Sequence, residues 1–186
     1  RLNAGGTEWE NVGNTVSLTE NINAYALKLA FDYVYTLYVG MQPDGDAIGL
    51  VRLVNGAWET VGGEPFINDI YTIYIDGGDV YIGGTFLSIP GITGASRIAK
   101  WDGNSWSALS NGGGLSGLDG AVYALEVDAN GNVIAGGSFN KAGTINCQSI
   151  AVFTRPLSDA LDMIANLFEQ TAAYFAATPR YALQGG

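Results

Sequence analysis

The residues most capable of chemistry in this chain are acidic, and they gather in glycine-rich runs. Asp128-Ala129-Asn130-Gly131-Asn132, Asp44-Gly45-Asp46 and Asp76-Gly77-Gly78-Asp79 each bring carboxylate or amide oxygens close together, as a calcium loop does. Calcium takes about six to eight oxygens, and its helix-flanked loops close on a bidentate Glu. No Glu closes any of these runs. Asn-Gly and Gly-Gly between apolar runs are instead the chemistry of hairpin turns, so the loops are read as turns that hold no metal. Glu64, Asp69, Asp119 and Glu126 are the stock from which a glycosidase pair would be drawn. Their spacing selects no two of them, and surface solvation accounts for them. Gly112-Gly113-Gly114 lacks the Lys-Ser/Thr and the following helix of a phosphate loop. Histidine is absent, which removes the commonest general base and metal ligand. Cys147 is the sole cysteine, so no internal disulfide and no multi-thiolate site can form within the chain. The expectation is no enzyme and no cofactor.

The elements that position these turns repeat. Residues 122–139 read VYALEVDANGNVIAGGSF: a period-two run, an Asn-Gly turn and a second apolar run ending in Gly136-Gly137-Ser138-Phe139. Alternation on both sides of Asn-Gly is a strong hairpin signal. Residues 70–86 repeat it around Gly77-Gly78 and end in Gly83-Gly84-Thr85-Phe86, and a looser copy starts at Ala24. Trp9, Trp58 and Trp106 recur at spacings of 49 and 48 residues, after related segments that begin at Arg1, Arg52 and Arg97. Each unit predicts four strands: one after the Trp, two in the hairpin, and one carrying Arg-Ile-Ala or its equivalent. Four short antiparallel strands in about 45–50 residues match one blade of a propeller. The fold class expected is all-β, about three propeller-like blades over residues 1–155. Trp9, Trp58, Trp101, Trp106, Phe86 and Phe139 are expected to pack between blades, because repeat units bury their faces on neighbours. The stretch from Arg1 to Trp9 reads as the last strand of a preceding unit. The third unit stops at Ile150-Ala151-Val152-Phe153, where a Trp-bearing turn is due.

Composition supports a packed protein and narrows its partners. Hydrophobic residues make up 47% and charged residues 14%, which argues against disorder. A net charge of −10 repels phosphate backbones and anionic membranes, so nucleic acid is not an expected partner. No run of about 18 apolar residues is present to span a bilayer. The chain opens at Arg1 without a signal-like apolar segment, which points to processing or to a longer parent.

From Pro156 the pattern changes. Ser158 is a plausible N-cap, with Asp159 and Asp162 in the first turn, where the helix dipole favours anions. Leu157, Leu161, Ile164, Phe168 and Phe175 form a stripe at helical spacing. Residues 156–186 are therefore expected to be a C-terminal segment with an amphipathic helix that docks on a partner.

The run of Gly-Gly-x-Phe, then Arg97-Ile98-Ala99-Lys100-Trp101-Asp102-Gly103-Asn104-Ser105-Trp106, then Val122-Tyr123-Ala124-Leu125-x-Val127-Asp128 resembles the kelch-like β-propeller repeats of large bacterial surface proteins and phage structural proteins. The turn from Trp101 to Trp106 also resembles the Asp-box of sialidase propellers, with its Asp-x-Gly-x-x-Trp spacing broken. The first resemblance covers residues 1–155 and implies a structural module at a virion or an extracellular cell surface. Its partners would be other protein subunits, in a homo-oligomer or larger assembly. A glycan-binding propeller, with exposed Tyr or Trp stacking on sugar, is the alternative.

Overall fold

A computed structural model describes residues 25–32, 35–42, 49–62, 69–109 and 117–155. The chain divides into two units, Arg1–Thr154 and Arg155–Gly186, and the described strands belong to the first. The first sheet is a meander of β1 (Tyr25–Phe31), β2 (Leu37–Gln42), β3 (Leu50–Val54) and β4 (Ala57–Thr60). The second repeats it with β5 (Ile70–Asp76), β6 (Asp79–Gly84), β7 (Ile98–Trp101) and β8 (Trp106–Ser107). The third contains β9 (Val122–Val127), β10 (Val133–Gly137) and β13 (Ile150–Phe153). A small hairpin, β11 (Lys141–Ala142) and β12 (Ile145–Asn146), lies between β10 and β13 in the chain. All pairings are antiparallel.

The architecture is all-β, as the period-two runs imply. Among the described residues there is no helix and no closed ring of sheets. The expected helix with Leu157, Leu161, Ile164, Phe168 and Phe175, and the expected packing of Trp9, lie outside the described residues.

The three sheets share one register. Gly40 pairs with Leu50, Gly83 with Ile98 and Gly136 with Ile150. Leu53 faces Trp58 as Trp101 faces Trp106. Each first strand bulges at the same place, with Leu27, Tyr71 and Tyr123 as the extra residues. The third strands of the second and third sheets also open alike, on left-handed residues: Arg97 at φ 67° and Ser149 at φ 63°. Such a backbone costs a non-glycine residue on the order of 1 kcal/mol. It is held because the Arg97 N–H donates to the Phe86 carbonyl at 2.8 Å and the Ser149 N–H to that of Phe139 at 3.0 Å.

Shared register makes the sheets stackable. One cluster joins Tyr38 and Leu50 of the first sheet to Ile70, Ile73, Val80, Ile82, Trp101 and Trp106 of the second. Another joins Tyr81 and Ile98 of the second sheet to Val122, Leu125, Val133, Ala135 and Phe153 of the third. Strand β6 is covered on both sides, so it reads as the unbroken apolar run Val80-Tyr81-Ile82. The glycines on each second strand make this approach possible. A Cβ on Gly40 would lie 2.7 Å from Cγ2 of Ile70, and one on Gly83 would lie 2.5 Å from Cγ1 of Val122. Ile70 and Val122 hold the same place in their sheets, so a β-branched side chain seats over a glycine twice.

Candidate functional site

The acidic runs, read from the sequence as turns, use their carboxylates within those turns. Asp128 Oδ1 accepts from the N–H groups of Asn130 and Asn132 at 2.9 and 2.8 Å, and Oδ2 accepts from Asn132 Nδ2 at 2.8 Å. The Asn132 side chain, with those backbone donors, holds the Asp128 carboxyl below its ordinary pKa. Asp102 accepts from the Asn104 and Ser105 N–H groups at 2.8 and 2.7 Å. The Ser105 N–H is the main cause of its lowered pKa. These carboxylates are used by their own turns. Among the described residues no three His, Cys, Asp or Glu side chains are placed to share a metal ion.

Asp119 has a role that sequence reading missed. It is not merely a solvated carboxylate: Oδ1 accepts from the N–H groups of Asn140 and Lys141 at 2.8 and 2.9 Å. This ties the loop before β9 to the start of β11, 21 and 22 residues on, and the Lys141 N–H chiefly lowers the Asp119 pKa. The contact is nonlocal, so no sequence period announces it. Asp69 accepts the Tyr71 hydroxyl at 2.8 Å, and that bond is the first cause of the raised Tyr71 pKa. Glu126 bonds Tyr74 of the neighbouring sheet and raises its pKa. The four acids suggested for glycosidase work therefore include three with structural partners, and Glu64 lies outside the described residues.

The aromatic residues singled out by the repeat are mostly interior. Phe86 and Phe139 are fully buried, one in each inter-sheet cluster. Trp101 and Trp106 are buried with ring centroids 5.3 Å apart, tilted by 54°. Trp58, equivalent to Trp106 by register, is only half-buried. Tyr123 differs from these buried rings. It is 57% exposed, and its ring lies 5.6 Å from that of Tyr71. An open depression of about 650 Å³ elsewhere is lined by Asn140, Asn146, Cys147 and Gln148. Burial raises the Cys147 thiol pKa, with the Asp119 charge second, so the thiolate a nucleophile needs is disfavoured.

The surface that stands out is the outer face of the third sheet. Register places Ala124, Ile134, Gly136, Ile150 and Val152 where the second sheet has Thr72, Tyr81, Gly83, Ile98 and Lys100. Ile98 is 0% exposed beneath the third sheet, whereas Ile150 is 64% and Val152 46% exposed. A Cβ on Gly136 would meet nothing closer than 3.8 Å, and that neighbour is Ala124 of its own sheet. At the other end, Leu29 and Phe31 of β1 are exposed, while Val39 and Val51 on the same face are buried. The third sheet also has three strands where the others have four, and no described residue pairs with the outer edge of β13. Comparisons of the chain with family models, with curated proteins and with solved structures found no match.

Proposed function

We propose that this chain is a non-enzymatic interaction module, a propeller-like stack of β-blades that takes part in building a larger particle such as a virion, a tail or fibre, or a cell-surface structure. The observation that carries the reading is the contrast between Ile98, 0% exposed, and its register equivalent Ile150, 64% exposed. Each internal sheet covers such a face with the next sheet, and the third sheet presents it to solvent. Contiguous apolar surface of this kind marks a protein–protein contact, because water leaves it at a gain of about 25 cal/mol per Å². The segment 156–186, with its apolar stripe, is a second docking element in this reading.

The test is the mass of the full chain in solution by sedimentation and native mass spectrometry, with Ile150→Lys beside it. A defined oligomer that weakens in Ile150→Lys supports the module. Deleting residues 156–186 should leave the β-type circular dichroism spectrum and abolish incorporation into the native particle. A full-length chain that stays monomeric at high concentration and joins no particle overturns the reading. Glycan binding is the second reading, favoured by the exposed Tyr123 ring beside Tyr71. Binding on a glycan array that is lost in Tyr123→Ala would establish it.

A further inference from the structure

We propose that Tyr71 and Tyr123, with Asp69, Thr85 and Ser138 at their hydroxyl ends, form a binding site for an uncharged pyranose sugar of a glycan. The inference rests on the glycan reading, to which it gives a place and a class of sugar, and the interaction-module reading does not depend on it. Tyr71 and Tyr123 are the bulged residues of β5 and β9. Each of these is the first strand of its sheet, and the two run beside one another. Their tyrosine rings meet at 5.6 Å with a 33° tilt, and Tyr123 is 57% exposed. The repeat does not require this pair, since the same bulge of the first sheet falls on Leu27. Phe86 and Phe139 are the rings that fill the core, and they are fully buried.

The ring tips carry a polar rim that is built twice. Thr85 and Ser138 each follow a Gly-Gly pair and are anchored alike. The Thr85 N–H donates to the Asp69 carbonyl at 3.0 Å, and the Ser138 N–H donates to that of Ala121 at 2.9 Å. The Thr85 side chain bonds the Tyr71 hydroxyl, and the Ser138 hydroxyl donates to that of Tyr123 at 3.4 Å. The Tyr71 hydroxyl in turn donates to Asp69 Oδ2 at 2.8 Å. Each sheet thus offers a tyrosine with an alcohol at its tip, and the second sheet adds a carboxylate.

This set of groups selects its ligand. A pyranose presents C–H groups along one face and hydroxyls around its edge, so the face packs on a tyrosine ring while the hydroxyls reach the polar rim. A carboxylate accepts hydrogen bonds at about four positions, which suits a ligand rich in O–H donors. A proline-rich strand also packs on exposed aromatic rings, but it has few N–H groups to donate. A nucleobase would stack as well, yet its phosphates would meet a chain of net charge −10. The same charge, with Asp69 in the rim, disfavours sialic and uronic acids. An uncharged sugar meets none of these objections.

The full chain is tested on an array that carries uncharged glycans, acidic glycans and a polyproline peptide, and is then titrated with the tightest-binding uncharged oligosaccharide. Binding should be confined to uncharged glycans. Tyr123→Ala should weaken it about tenfold or more, the scale of one lost stacking contact. Tyr123→Phe keeps the ring and should cost only about threefold, the scale of one hydrogen bond. Asp69→Asn removes the charge from the rim and should extend binding to acidic glycans, a change that a merely structural role would not produce. Tyr35→Ala removes an 84% exposed ring from the β1–β2 turn and should leave binding unchanged. Circular dichroism spectra that match the parent's show that each variant folds. Binding of uncharged glycans that survives Tyr123→Ala overturns this site and leaves the glycan reading standing. An array without glycan binding, or with binding to polyproline alone, overturns both, while the interaction-module reading is judged separately by the mass of the chain in solution.

Discussion

Tyr71 and Tyr123 hold the same bulge position in neighbouring sheets, and their rings meet at 5.6 Å with a 33° tilt. A bulge turns its extra residue away from the regular alternation. Here it aims one ring from each sheet toward the next, and Tyr71 is further held by the Asp69 carboxylate at 2.8 Å. Aromatic pairs of this kind contribute about 0.5–1.5 kcal/mol beyond the area they bury. A double-mutant cycle of Tyr71→Ala and Tyr123→Ala should return a coupling in that range by urea denaturation. A coupling near zero would mean that the rings lie side by side without holding the sheets together.

The glycines on the second strands give a sharper contrast. Gly83→Ala drives a methyl group toward Val122 and should destabilise the chain by about 1–3 kcal/mol, the usual cost of overpacking. Gly136→Ala, at the same register place, meets nothing closer than Ala124 Cβ at 3.8 Å and should be close to neutral in the isolated chain. Equal losses at the two positions would show that the outer face of the third sheet is already covered.

Much of this was legible in the sequence because it is local. Alternation around Asn130-Gly131 and Gly77-Gly78 marked two hairpins, and the Gly-Gly-x-Phe endings led to Phe86 and Phe139, both buried. The pairing of each Trp strand with the Arg-Ile-Ala strand before it was not legible in the same way. The Trp strand follows a short turn whereas β7 follows a thirteen-residue loop (85–97), and only the register of β7 with β8 settles which sheet Trp106 closes. Seating Ile70 over Gly40 and Val122 over Gly83 joins residues 30 and 39 positions apart, which no periodicity reports. The bridge from Asp119 to Asn140 and Lys141 was hidden for the same reason, as were the two-residue strands β11 and β12, which are too short to show a period.

Trp106 and Trp58 separate burial from position. They are equivalent by register, yet Trp106 is enclosed against the first sheet and Trp58 is half-buried. Trp106→Ala should cost about 3–5 kcal/mol, typical of a truncated buried Trp. Trp58→Ala should cost about 1–2 kcal/mol, in proportion to the smaller area it removes from water. A loss below about 1 kcal/mol at Trp106 would put that ring outside the core.

Metal removal should change nothing. The carboxylate oxygens of Asp102 and Asp128 already accept hydrogen bonds from their own turns. A bound ion would have to displace those donors. Treatment with a chelator should leave the melting temperature in place, and a fall of several degrees restored by calcium would refute the turn reading, since a ligand of the native state stabilises it by mass action.

Acid should find the same carboxylates. Asp102, Asp119 and Asp128 are each held below their ordinary pKa by N–H donors: Ser105 first for Asp102, Lys141 first for Asp119, and the Asn132 side chain first for Asp128. A carboxyl whose folded pKa lies below its unfolded value of about 3.9 binds fewer protons folded than unfolded as the pH falls toward that range. Its contribution is complete above the unfolded pKa and disappears as the pH drops through the folded one. Stability should therefore stay level from about pH 7 to 5, as far as these groups set it, and decline below about pH 4. Asp119→Ala isolates the effect, because it removes the acceptor that links the loop before β9 to β11. The urea midpoint of the variant should lie below that of the parent at pH 7, and the difference should shrink once Asp119 is protonated in the parent. A difference that is the same at about pH 7 and about pH 2.5, on either side of the carboxylate range, would show that the side chain acts by packing, with its charge and hydrogen bonds contributing nothing.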